Sequence, residues 1–114
     1  MNATLRILVI RPGEDPVVET VGDDLKDIQA VVGGYVEQLK TEAMPPNTVI
    51  VCNDEGRLLG LTPNIIVFPY GVIVGTIAFI GTNGIEFVSV TDGQLRGLLE
   101  FVSKRCGRAV VSTT

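Results

Sequence analysis

Six residues offer the side-chain chemistry of a binding site: Tyr35, Glu37, Asn53, Arg57, Asn64 and Tyr70. Five of them sit in two short cassettes, Val32-Gly33-Gly34-Tyr35-Val36-Glu37 and the stretch from Cys52 to Asn64 (CNDEGRLLGLTPN), and Tyr70 follows soon after. The guanidinium fork of Arg57 matches a carboxylate or a phosphate. Asn53 and Asn64 flank it with amide donors and acceptors. Tyr35 and Tyr70 offer flat faces on which a base could stack. Glu37 brings a carboxylate that needs a partner if its strand face is inward, and Arg57 is the natural one. The expectation is that these groups line one small-molecule pocket. The plainer alternative is that the asparagines make only turn hydrogen bonds and Arg57 only covers a sheet edge.

Catalytic constellations are missing. The chain has no His, which removes the usual general base, the His-dependent triads and zinc sites of the Cys/His kind. Ser89, Ser103 and Ser112 have no nucleophile-elbow context, and no glycine-rich phosphate loop opens a helix. Carboxylates cluster at Asp23, Asp24 and Asp27 and at Asp54 and Glu55. Such groups could hold Mg²⁺ or Ca²⁺, but helix capping and turn solvation account for them. The expectation is therefore a protein that is not an enzyme, with no metal and no cofactor. Cys52 and Cys106 form no CxxC pair, and Cys52 reads as a buried thiol in an apolar strand.

The 114 residues suit one domain, residues 1–107, with a tail at 108–114 that is frayed or forms an edge strand. A hydrophobic fraction of 46% and a charged fraction of 19% describe a globular chain. Nine basic against thirteen acidic residues give a net charge of −4. Without clustered Lys and Arg, nucleic acid is excluded as a partner. Lys104, Arg105 and Arg108, the densest basic group, read as a solvated helix end. No signal-peptide pattern opens the chain, so a reducing cytoplasmic setting is expected. The uncharged stretch Leu58 to Ile85 is long enough to cross a bilayer, but Pro63, Pro69 and five glycines interrupt it. Buried strands explain it better, and no membrane association is expected.

The elements that must position the six residues follow from patterning. Thr4 to Arg11 is an apolar strand, and Val17 to Val21 is the second arm of a hairpin. Asp23 or Asp24 caps a helix carrying Leu25, Ile28, Val31 and Val32, and Gly33-Gly34 stops it. Tyr35 to Leu39 is a strand with Tyr35, Glu37 and Leu39 on one face. Thr48 to Cys52 is a buried strand. Asn53 to Gly56 reads as a hairpin turn, with Gly56 at positive φ and Arg57 to Leu61 returning. Thr62-Pro63-Asn64 reads as a second turn. Ile65 to Phe68 and Val72 to Ile80 are strands, and Thr82-Asn83-Gly84 turns into Glu86 to Val90. Thr91 and Gln94 form a capping box for a last helix whose apolar face is Leu95, Leu98, Leu99 and Val102, with Gly107 ending it. The expected class is α+β: an antiparallel or mixed sheet of six to eight short strands with two helices.

At these cassettes the chain resembles a small family known only as a domain of unknown function, common in bacteriophages, plasmids and bacterial genomes. The pattern is Arg11-Pro12-Gly13, then Val32 to Glu37, Asn53 to Arg57, Gly60 to Asn64 and Val74-Gly75-Thr76, covering residues 5 to 102. The family brings no catalytic residues. The resemblance implies a phage or mobile-element origin, where small accessory proteins antagonise host defence and some sequester nucleotide signals. The expectation is a non-enzymatic homo-oligomer that binds an anionic small molecule, a nucleotide-derived immune signal. Arg57 would meet the phosphate, Asn53 and Asn64 would hydrogen-bond, and Tyr35 or Tyr70 would stack. The alternative is a module that inhibits a host protein through its acidic surface.

Overall fold

A computed structural model describes residues 3–109. Along the chain come β1 (Thr4–Ile10), β2 (Val17–Gly22), α1 (Leu25–Val32), β3 (Val36–Leu39), β4 (Thr48–Asn53), β5 (Pro63–Val67), β6 (Gly71–Val74), β7 (Ile77–Thr82), β8 (Phe87–Val88), α2 (Asp92–Arg105) and β9 (Cys106–Arg108). The main sheet runs β2-β1-β7-β4-β3, with β8 beside β7, and β6-β5-β9 form a second, three-stranded sheet. Every pairing is antiparallel. The class is α+β with two helices, and the strands divide between two sheets.

β1, β4 and β7 are apolar at nearly every step because both faces of the main sheet are covered. Successive side chains alternate between the faces. Leu5, Ile7, Val9, Val49, Val51, Ala78 and Ile80 pack on one side with Ile28 and Val32 of α1. Leu8, Ile10, Ile50, Cys52, Ile77 and Phe79 pack on the other, against Ile65, Val67 and Ile73 of the small sheet and Leu98, Phe101 and Val102 of α2. The result is three layers: α1, the main sheet, and a mixed layer of small sheet and α2.

Local chemistry sets the helix ends. Asp24 is the residue that precedes α1, and the Asp27 carboxylate accepts from its backbone N–H. Gly33 ends α1 in the left-handed region at φ 82°, where a side chain is costly. Thr91 and Gln94 exchange the two capping-box hydrogen bonds at α2.

Several boundaries differ from the sequence reading. The apolar run Val72 to Ile80 breaks at Gly75, so β6 and β7 belong to different sheets. Pro63 opens β5 instead of making a turn. On α2, Phe101 is buried while Leu99 is 42% exposed, because the helix meets the sheet through the Leu98–Phe101–Val102 stripe. The helix ends at Arg105, and Gly107 lies in β9, paired with Ile66. Of the expected tail, Arg108 belongs to β9, and 110–114 lie outside the described residues. The uncharged stretch folds as β5, β6 and β7, and no helix among the described residues is long and apolar enough to cross a membrane.

The β1–β2 hairpin carries an ion pair, Arg11 Nη1 to Glu19 Oε2 at 2.6 Å. The hydrogen bond from Arg11 holds the Glu19 carboxyl below its usual range. A depressed carboxylate stabilises the fold above its unfolded pKa, and the contribution is lost as pH falls through the folded value. Both side chains are partly solvated, so Glu19→Gln is expected to cost less than about 1 kcal/mol in urea unfolding at pH 7. The difference from the parent protein should vanish in acid.

Candidate functional site

The two cassettes meet, and a hydrogen-bonded knot joins them. β3 pairs with β4, Val36 opposite Asn53 and Glu37 opposite Cys52. Asn53 is 7% exposed. Its Nδ2 donates to the Val32 carbonyl at 3.2 Å, and its Oδ1 accepts from Glu55 N at 2.8 Å. Asp54 N donates to the Tyr35 carbonyl at 2.8 Å. A β-carbon on Gly34 would lie 2.9 Å from Asn53 Nδ2, so the second glycine of the first cassette leaves room for that amide.

The segment after β4 does not return as a strand. Residues 54–60 form consecutive turns closed by Leu59 N to Glu55 O and Leu61 N to Gly56 O, each 2.9 Å. These bonds use the backbone groups a ladder would need. The positive φ expected at Gly56 falls instead at Gly60, with φ 68°. Gly56 is needed for proximity, since a β-carbon there would come within 2.7 Å of Val74 Cγ2.

This turn walls a cleft of about 410 Å³. On one side are Glu37 and Leu39 of β3 with Cys52 and Asn53 of β4; at the end is Asp54 to Leu58; across from them stand Tyr70 and Val72 to Val74 of β6. Four of the six expected residues therefore come together: Glu37, Asn53, Arg57 and Tyr70. The Tyr70 hydroxyl donates to the Lys40 carbonyl at 2.7 Å and accepts from Lys40 N at 3.2 Å, which ties the β5–β6 hairpin to the end of β3. Arg57 Nη2 donates to the Val72 carbonyl at 2.6 Å.

Three expectations are corrected. Glu37 is exposed, so water solvates its charge, and no ion pair within 4.0 Å joins it to Arg57 among the described residues. Tyr35 is 68% exposed and does not line the cleft. Asn64 is 1% exposed and lies outside it. Its Nδ2 donates to the carbonyls of Ile10 at 2.9 Å and Gly75 at 2.8 Å, so the amide clamps the small sheet to the main one. The lining residues that sequence reasoning left out of the site are Leu39, Cys52, Asp54, Glu55, Gly56, Leu58 and Val72 to Val74 of β6. Asp54 and Glu55 had a signal, their place beside Arg57 in the cassette. β6 had none, because its side of the cleft is fixed by sheet topology.

Three carboxylates, Glu37, Asp54 and Glu55, and one guanidinium line the cleft. No group of three or more His, Cys, Asp or Glu side chains converges to hold a metal ion among the described residues. Burial, then the charges of Glu37 and Asp54, push the Cys52 thiol up to about 11, and burial pushes Cys106 to about 11. Both thiols stay protonated at neutral pH, and the thiolate is the nucleophilic form. At pH 8 iodoacetamide should alkylate the native protein roughly a hundredfold more slowly than the urea-unfolded chain, which has ordinary thiols. Between pH 9 and 11 the unfolded chain loses these protons and the folded one keeps them, so stability should fall with rising pH.

The cleft brings together charged, polar and aromatic side chains beside the buried Leu39 and Ile73. Among curated proteins and among solved structures, nothing matches the chain. A family model described as a domain of unknown function, DUF3846, matches residues 5–103, a span that holds both cassettes, the cleft and nearly all of α2. The chain therefore belongs to the DUF3846 family.

Proposed function

We propose that this chain is a non-enzymatic binding domain that takes a small molecule into the cleft between β3–β4 and β6. In a phage or other mobile element it would remove that molecule from solution. The observation that carries the reading is the cleft itself, about 410 Å³ and lined by apolar and polar residues from separate elements. Ligand sites are generally of this size and make-up. The protonated Cys52 thiol and the missing His support binding over catalysis. Leu58 and Phe68, 86% and 85% exposed, support association of copies.

A nucleotide-derived anion is the second reading, and Arg57 favours it. One guanidinium nitrogen is engaged by Val72, which leaves donors for a phosphate beside the Tyr70 ring. Inhibition of a host protein is the outcome if no small molecule is held.

Native mass spectrometry of the protein purified from bacteria, before and after incubation with cyclic and ADP-ribose-type nucleotides and with cationic metabolites, tests the reading. A retained ligand mass is expected, lost in Val72→Trp, which fills the cleft, and kept in Phe68→Ala. A bare protein mass under every condition would contradict it.

A further inference from the structure

We infer that the ligand of the cleft is a cation, a small molecule carrying an ammonium or guanidinium group, and that Arg57 competes with it instead of anchoring an anion. The inference rests on the small-molecule reading of this cleft. The lining holds Glu37, Asp54 and Glu55 against Arg57 alone. None of the three carboxylates has a cationic partner within 4.0 Å among the described residues, where the ion pairs join Arg6 to Asp92, Arg11 to Glu19, Lys104 to Glu100 and Arg108 to Asp15. An anion would enter against their summed field, whereas a cation would be drawn in.

Charge is not the only observation. Among the described residues β6 is an edge strand, with β5 on one side and no strand on the other. Val72 lines the cleft, and its main-chain carbonyl accepts from a guanidinium, Arg57 Nη2 at 2.6 Å. The structure thus displays the group this acceptor takes, supplied by the chain itself. Tyr70 also lines the cleft, and an aromatic ring is a group a cation favours. The negative field also reaches Cys52 in the lining, whose thiol is raised by burial first and then by Glu37 and Asp54. A ligand amine or guanidinium that displaces Arg57 from Val72 would gain the carbonyl and the carboxylates together.

The two signs of ligand charge give opposite forecasts for one substitution. Agmatine, with a guanidinium at one end and an ammonium at the other, and adenosine diphosphate are the probes, titrated into the full chain by calorimetry at low and high salt. Agmatine should bind, more weakly at high salt. Arg57→Gln, which keeps a donor for Val72, should tighten agmatine roughly three- to fivefold, the effect of one nearby charge in a solvated site. Glu37→Gln combined with Asp54→Asn should weaken it roughly tenfold. Looser agmatine binding in Arg57→Gln would overturn the inference. Tighter binding of adenosine diphosphate than of agmatine, lost in Arg57→Gln, would overturn it and leave the cleft reading standing. If neither probe binds at millimolar concentration, both fall.

Discussion

Asn64→Ala is expected to lower the unfolding free energy by about 1–3 kcal/mol, because it removes two buried hydrogen bonds at once. Asn64 Nδ2 is the donor shared by Ile10 O at the end of β1 and Gly75 O at the break between the two sheets. The side chain is fully enclosed, so water cannot replace it without opening the layer. Asn64 Oδ1 has no partner among the described residues, so this acceptor contributes little in the parent protein and the loss is that of the two N–H bonds. Asn64→Asp should be worse still, since a carboxylate would face two carbonyl oxygens in a buried site. Urea unfolding checks both. The midpoint should fall at unchanged slope, and a shift below about 0.5 kcal/mol would remove Asn64 from its role as inter-sheet clamp.

Phe79→Ala should cost more, about 3–5 kcal/mol. Phe79 has no exposed surface and lies on β7 between its two neighbours, opposite Leu8 of β1 and Ile50 of β4. Its ring meets that of Phe101 on α2 edge to face, with centroids 6.3 Å apart and planes at 77°. Truncation loses the burial, leaves a cavity and uncouples the helix from the sheet. Phe68→Ala is the internal control. That ring is exposed on the β5–β6 hairpin, and its removal should change stability by no more than about 0.5 kcal/mol. Equal melting temperatures for the two variants would contradict the packing described.

The contrast between Asn53 and Asn64 shows where the sequence stops being informative. Both sit in turn-like polar contexts, and both looked like ligand donors beside Arg57. Their roles are decided by what lies across from them: Val32 and Glu55 for one, Ile10 and Gly75 for the other. These partners are up to 54 positions away, beyond any local pattern. Capping at Thr91 and termination at Gly33 were legible because the side chain or the missing one acts on its own backbone. β1 and β4 were legible as buried strands, but not which residue faces which layer. The run Val72 to Ile80 looked like one strand because periodicity does not register a change of sheet at Gly75. Phe101 and Leu99 each fit an apolar helical stripe, and only the orientation of α2 against Phe79 selects between them. Arg57 was legible as the cation of its cassette, while its partner, a main-chain carbonyl of β6, required the fold.

The cleft between β3–β4 and β6 is the ligand site proposed for this protein. The most direct measurement is a map of backbone amide shifts on adding a deproteinised low-molecular-weight extract of bacterial cells to the isotope-labelled protein. Shifts are expected to be confined to Glu37, Asp54 to Leu58, Tyr70 and Val72 to Val74. Shifts centred elsewhere, on α2 or on the outer face of α1, would contradict it.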